Sequence, residues 1–278
     1  MTAGHGRRVR RPWPSSAAAA GLMALLPAWL TAAGHLPAVP EPRSAMVPEI
    51  AIIIDDMGTR LDAGRRVIGL PGPVTCAFLP YAPHTAALAR QAHRRDKEVM
   101  LHLPMATVED RPLDQGGLTL DMTEEELHAT LAADLARVPY AVGVNNHMGS
   151  LLTRHPGHML WLMRALQRRE GMFFVDSRTT RHTVAQLLAY ENAIPSVSRD
   201  VFLDAEPTPE GVRREFQRLL GLARRNGSAL AIGHPHAATL ELLEQELPRL
   251  EGVRLVPISR LVERQHEREH LWRASLSP

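Results

Sequence analysis

Ile52-Ile53-Ile54-Asp55-Asp56-Met57-Gly58 decides how the rest of the chain is read. Three β-branched residues in succession make a strand buried on both faces, as in parallel sheets covered by helices. Two carboxylates follow without a break. Burying an unpaired charge is costly, so acids ending such a strand call for a metal, a cationic partner or an opening to water. In α/β folds, ligands sit at the C-terminal ends of parallel strands. Side chains alternate along a strand, so Asp55 and Asp56 are expected to point different ways. One is then free to bind a metal and the other to handle a proton. The competing reading makes the pair a cap for a helix starting near Thr59.

The pattern around this stretch repeats outward. Strands are expected at 50–54, 74–79, 98–103, 140–144, 172–175, 196–203, 229–232 and 253–258, with helices between them. Thr123 with Glu126 forms a capping box, and Thr208-Pro209 opens a long helix that Asn226-Gly227 ends. The strand at 98–103 is expected to stop at Pro104, and Thr153 to cap the helix after the fourth strand. Alternation of strand and helix predicts a parallel sheet with outer helices, and seven or eight units suggest a closed or nearly closed (β/α) barrel. A doubly wound open sheet is the main alternative. No G-x-G-x-x-G is present, so a dinucleotide site has no support.

Composition limits the possibilities. The 278 residues are 45% hydrophobic, with 32 basic against 30 acidic residues and a net charge of +2. No basic stripe is interleaved with aromatics, so nucleic acid is not a predicted partner. The single cysteine, Cys76, excludes an intrachain disulfide and a cysteine-built zinc site. Arg7, Arg8, Arg10 and Arg11 precede an apolar run at 17–30 and the small residues Thr31-Ala32-Ala33. Residues 1–33 therefore read as a signal peptide, with an uncleaved anchor tethering the chain to the inner membrane as the second reading. Residues 34–48 are a proline-rich linker, 49–262 the barrel domain, and 263–278 a polar tail expected to fray. Export without a cysteine pair is compatible with a bacterial periplasm.

Polar residues collect just after the expected strands: Asp55 and Asp56, His102, Asn145-Asn146-His147, Asp176, and His234 with His236. In a parallel barrel all of them converge on one rim. One carboxylate with two imidazoles is a common set for a catalytic divalent ion with open positions. Such an ion lowers the pKa of a water to about 7. A second carboxylate and a further histidine can then move protons. Each residue also has a structural reading. His102 fits a hydrogen-bonded core histidine, Asn145-Asn146 a turn, Asp176-Ser177 a helix cap, and His234-Pro235-His236 a loop.

Ile-Ile-Ile-Asp-Asp-Met-Gly (52–58), Leu-His-Leu-Pro-Met (101–105), Gly-Val-Asn-Asn-His-Met-Gly-Ser (143–150), Phe-Val-Asp-Ser (174–177) and Ile-Gly-His-Pro-His (232–236) together resemble the divergent polysaccharide deacetylase family, a branch related to metal-dependent polysaccharide deacetylases. The resemblance covers about residues 49–262. It implies a distorted (β/α) barrel of about seven parallel strands, in an exported bacterial protein acting on cell-envelope glycan. By this resemblance Asp55 is the general base, Asp56 the metal-binding acid, His102 a metal ligand and His234 the general acid. Ala106 stands where the related enzymes carry a second metal histidine, which leaves His147 as the third ligand. Asn145, Asn146, Ser150, Asp176 and His236 are supporting or substrate-binding residues. The backbone near Gly149 and Ser150 is a candidate oxyanion site.

The implied activity is hydrolysis, by a divalent metal ion such as Zn2+, of an acyl group (N-acetyl in the first instance) on an envelope polysaccharide. The alternative, motivated by Ala106, is a periplasmic glycan-binding or scaffold protein that keeps the barrel without turnover.

Overall fold

The computed structural model describes residues 47–109 and 111–276. The expected signal or anchor at 1–33 and most of the linker at 34–48 lie outside them. Nine strands run in chain order: β1 (Glu49–Met57), β2 (Thr75–Phe78), β3 (Val99–Met105), β4 (Ala141–Met148), β5 (Phe173–Asp176), β6 (Ser196–Ser198), β7 (Val201–Phe202), β8 (Ser228–Gly233) and β9 (Arg254–Leu255). All pair in parallel, in the order β6-β5-β4-β3-β2-β1-β8-β7, with β9 added beside β1. The helices are α1 (Leu61–Gly69), α2 (Thr85–His93), α3 (Glu124–Arg137), α4 (Pro156–Gln167), α5 (Ala185–Glu191), α6 (Pro209–Asn226), α7 (Ala237–Glu246) and α8 (Ile258–Leu276).

The strands β6 and β7 lie at opposite ends of the path, yet only Arg199 and Asp200 separate them in sequence. The Arg199 N–H donates to Asp176 O beside β6, and the Asp200 N–H donates to Leu230 O on β8, each at 3.0 Å. The sheet is therefore curled until its two edges are joined by a connecting stretch of chain. This is the distorted barrel expected from the sequence. The sixth strand, read as one piece at 196–203, is two short strands on either side of that seam.

Alternation sorts the strand residues into two apolar groups. Ile50, Ile52 and Ile54 of β1 pack with helix residues such as Leu88, Leu131, Leu162 and Phe216. Ala51 and Ile53 pack with Ala77, Met100, Phe173, Val175, Leu230 and Ile232, which fill the barrel interior. The strands thus carry core on both faces, which is why the sequence reads as continuous β-branched runs.

Several expected boundaries move. Strand β3 continues through Pro104 to Met105, and β4 continues through Asn145 and Asn146 to Met148. Thr153 is not a helix cap: Leu152–Arg154 form a 3-10 turn, the Thr153 hydroxyl donates to Gly149 O at 2.7 Å, and α4 begins at Pro156. The capping box at Thr123 and Glu126 forms as the sequence predicts, and Gly227 ends α6 at a φ of 82°.

The expected polar tail is largely helix. The first turns of α8 place Ile258, Leu261 and Val262 in the interior group, at the end of the barrel where the strands begin. Glu49, buried at the start of β1, pairs with both Arg254 and Arg264. The Ser259 N–H donates to Glu98 at 3.2 Å. These contacts tie a polar segment to the barrel floor, which sequence polarity alone does not reveal. Among the described residues, no helix is long and apolar enough to cross a membrane.

Glu49→Ala leaves the half-buried Arg264 without its buried carboxylate, while Arg254 is already largely exposed. The expected cost is about 1–2 kcal/mol, because solvent screens the Arg254 half of the pairing. Urea unfolding should show a lower midpoint at an unchanged slope.

Candidate metal centre

Strand parity brings five residues inward. Met100 faces the interior on β3, so His102 does too. Val144 faces the helices on β4, so Asn145 and His147 face inward. On β8, Leu230 and Ile232 face inward, and His234 follows them. The register sets His102 beside Asn145 and Pro104 beside His147. Asp55 shares the inward parity of Ala51 and Ile53.

Asp56 does not follow parity. The pairing of β1 with β2 slips between Ile54 and Met57, and Asp56 has a φ of 55°. A bulge of this kind re-aims a side chain at the end of a strand. Asp tolerates left-handed geometry better than most residues. The two acids, expected to diverge, consequently reach the same imidazole. Asp56 Oδ1 lies 3.4 Å from His102 Nε2, and Asp55 Oδ2 lies 3.6 Å from that atom. Gly58 completes the turn at a φ of 102°, where a Cβ would lie 2.2 Å from Thr85 Oγ1.

Asp56 Oδ1, His102 Nε2 and His147 Nδ1 form a triangle. Its sides are 3.4 Å from Asp56 to His102, 3.2 Å from Asp56 to His147, and 3.0 Å between the imidazoles. Asp56 Oδ1 is buried and has no hydrogen-bond donor aligned on it. Ligands at about 2.05 Å lie about 3.3 Å apart on a tetrahedral ion and about 2.9 Å apart on an octahedral one. The spacing and the donor set fit a divalent cation of either geometry.

Asn145 fixes the buried side of the triangle. Its Nδ2 donates to Asp55 Oδ1 at 2.8 Å and to Ser177 Oγ at 3.3 Å. A carboxylate only accepts, so the amide oxygen is left facing His102 Nδ1, 2.9 Å away. His102 must then carry its proton on Nδ1, which leaves the Nε2 lone pair in the triangle. A hydrogen bond to the distal ring nitrogen is the usual support of a metal-bound histidine.

The two acids differ electrostatically. Burial pushes the Asp55 carboxyl up, against the pull of His102, His234 and the Asn145 hydrogen bond. Burial acts on Asp56 as well, but the neighbouring His102 and His147 imidazoles hold it well below the usual carboxylate range. Adjacent acids with opposed shifts divide naturally into a proton acceptor and a permanent anion.

His234 stands across the site, its Nε2 3.9 Å from Asp56 Oδ2. Asp204, given no role in the sequence reading, orients it. Asp204 Oδ1 accepts from His234 Nδ1 at 2.9 Å, while Oδ2 accepts from the His234 N–H at 2.6 Å and from the Thr239 hydroxyl at 2.9 Å. Burial would lower the His234 pKa, but the Asp204 bond and the nearby carboxylates raise it to about 9. Asp204, His234 and His236 also lie close enough to hold an ion. Their hydrogen bonds already occupy the Asp204 oxygens, so we read the group as an oriented histidine. The signal for Asp204 in the sequence is its place directly after the strand expected at 196–203.

The remaining expected residues do structural work. Asn146 accepts from the Ser177 N–H at 2.9 Å and donates to Met148 O at 2.8 Å. Ser150 Oγ is bonded to Thr107 and Glu109 at 2.6 and 2.7 Å, tying down the loop after β3. The Gly149 N–H, offered above as an oxyanion donor, is spent on Met105 O at 3.1 Å. Asp176 has the outward parity of Phe174 and accepts from the Arg178 N–H and the Thr183 hydroxyl, so it builds the 177–183 turn. Ala106 packs against the outer core.

The triangle opens into a cavity of about 540 Å³, walled by Thr107, Glu109 and Arg111 on one side and Arg178, Thr179, Phe202 and His236 on the other. Arg199, at the barrel seam, donates to Ser177 O at 2.7 Å and to Arg178 O at 3.0 Å, holding the second wall.

This geometry can be set beside known proteins. The chain is 40% identical over 197 residues to the uncharacterised protein YibQ of Escherichia coli K12, a match covering 71% of this chain and 61% of that protein. It is 36% identical over 214 residues to an uncharacterised protein of Haemophilus influenzae Rd, covering 77% of this chain and 76% of the other. In structure it resembles the uncharacterised protein ATU2773 of Agrobacterium tumefaciens C58, with a TM-score of 0.73 at 22% identity over 78% of this chain and 90% of that one. That likeness concerns the fold. Residues 52–262 match the divergent polysaccharide deacetylases, and the chain belongs to that family.

Proposed function

We propose that the protein is a metal-dependent hydrolase that removes an acyl group, N-acetyl in the first instance, from a cell-envelope polysaccharide. The observation that carries this reading is the convergence of Asp56 Oδ1, His102 Nε2 and His147 Nδ1 within 3.4 Å of one another at the floor of the cavity. A divalent ion held there, with Zn2+ the natural candidate for this donor set, would polarise an acyl carbonyl and lower the pKa of a water to about 7.

The chain's own residues supply the proton chemistry. Asp55, pushed up by burial and aimed by Asn145, is suited to take a proton from the nucleophile. His234, kept protonated by Asp204, is suited to deliver one to the departing amine nitrogen. Asp55 lies on β1 and His234 directly follows β8, and both line the cavity. The 177–179 turn and the loop after β3 form the walls against which a sugar chain would lie. The proposed setting is the periplasm, reached by export or held at the inner membrane through residues 1–33.

Acetate release from N-acetylated glycans by the zinc-loaded protein tests the reading. Asp55→Asn should lower the rate by about 10²- to 10⁴-fold while bound metal stays at the wild-type level. Unchanged hydrolysis would sink the base assignment. Metal uptake with no acetate from any acetylated glycan would favour the non-catalytic glycan-binding alternative.

The pH profile offers a second check. His234 must be protonated to act as an acid, so activity is lost as pH rises through its pKa. Asp204→Asn removes a carboxylate that raises that pKa. The alkaline limb should therefore move to lower pH, and a limb that stays in place would exclude His234 as the acid.

A further inference from the structure

His147 differs from the other two members of the triangle in how it is held. Asp56 is set by a backbone bulge, and His102 is clamped by the buried Asn145. The His147 side chain is 19% exposed at the cavity, and among the described residues its polar partner outside the triangle is Asp114, whose Oδ2 lies 3.1 Å from Nε2. Asp114 belongs to no strand or helix. It sits on the connection between β3 and α3.

That connection is anchored at both ends. The Ala106 N–H donates to Leu118 O at 2.8 Å, and the Leu118 N–H donates to Pro104 O at 2.9 Å. The Gly117 N–H turns back to Asp114 O at 3.0 Å. Between them Gly116, at a φ of 83°, lies so close to α3 that a Cβ would be 2.4 Å from Asp134 Oδ1 and 2.7 Å from Tyr81 Cε2. The seat on α3 thus fixes the height at which Asp114 meets the imidazole. Thr107, Glu109 and Arg111 of the same connection form one wall of the cavity.

We propose that Asp114 is a positioning residue of the metal centre, through which ion occupancy is coupled to the loop that carries Thr107, Glu109 and Arg111. An Asp114 carboxylate only accepts, so His147 carries its proton on Nε2 and presents the Nδ1 lone pair to the triangle. His102 is fixed in the opposite tautomer by Asn145. Both inward nitrogens then hold lone pairs beside the Asp56 carboxylate, an arrangement that a cation relieves. An ion that holds the His147 ring also holds Asp114, and with it the loop that carries Thr107, Glu109 and Arg111. This inference rests on the metal-centre reading above.

The test uses metal-stripped protein titrated with Zn2+ against a chromophoric chelator, for wild type, Asp114→Ala, Asp114→Asn, Gly116→Ala and His147→Ala. Circular dichroism checks that each variant is folded. Asp114→Ala should weaken zinc binding about 10- to 100-fold, the range for partners of metal-bound histidines. Asp114→Asn retains an acceptor and should recover most of the affinity. Gly116→Ala touches no ligand but unseats the loop, and should weaken binding in the same direction. Amide exchange at 106–118 should slow on zinc addition in wild type and not in Asp114→Ala. The Co2+ absorption spectrum should shift between those two proteins.

Wild-type zinc affinity, an unshifted Co2+ spectrum and unchanged loop exchange in Asp114→Ala would overturn the proposal and leave the metal centre standing. No metal uptake by wild type would instead remove the metal centre itself, and this inference with it.

Discussion

Two carboxylates stand at the end of a strand buried on both sides, and the rest of this end of the barrel is arranged around their charge. Asp55 and Asp56 cannot be left unpaired at such depth. Asn145 reaches Asp55 from β4, and His102 reaches both acids from β3. His147 faces Asp56 from the next inward position on β4, and His234 approaches from β8 with its own acid behind it. A small number of buried polar bonds therefore links four strands above a barrel interior whose packing is apolar.

That arrangement assigns unlike properties to chemically like groups. Asp55 and Asp56 are neighbours in sequence, yet burial dominates one and imidazole contacts dominate the other. His102 and His147 face one another with their distal nitrogens set against different groups, a buried amide that bonds the first and a loop carboxylate 3.1 Å from the second. Selectivity between roles thus comes from the neighbours each side chain meets. It is also why supporting residues such as Asn145 and Asp204 matter to the site as much as the groups lining it.

The opposite end of the barrel is closed by different means. There the interior is filled by Ile258, Leu261 and Val262 from α8, and the buried Glu49 binds two arginines that come from β9 and α8. Polar residues at the strand starts stabilise the barrel, whereas those at the strand ends line a cavity. The division follows the general behaviour of parallel α/β sheets, in which ligands occupy the carboxyl ends of strands.

Much of this was legible in the sequence. The runs of β-branched residues, the capping box at Thr123, and the proline and glycine that bound α6 are local signals, fixed by propensity and backbone sterics. The places of Asp55, His102, Asn145, His147 and His234 just after expected strands were enough to gather them at one rim; Asp176 was gathered with them, and only the observed strand parity turns it outward. Tertiary structure decided what depends on pairing between distant segments. The slip between β1 and β2 turned Asp56 against parity, because a bulge exists only relative to a partner strand. Closure of the sheet at Arg199 and Asp200 cut one expected strand in two and brought Asp204 to His234. The seating of Gly116 on α3 carried Asp114 to His147, and the barrel floor gave the polar end of the chain a partner. Local propensity cannot register such contacts, since their energy arises only when residues tens to hundreds of positions apart are brought together.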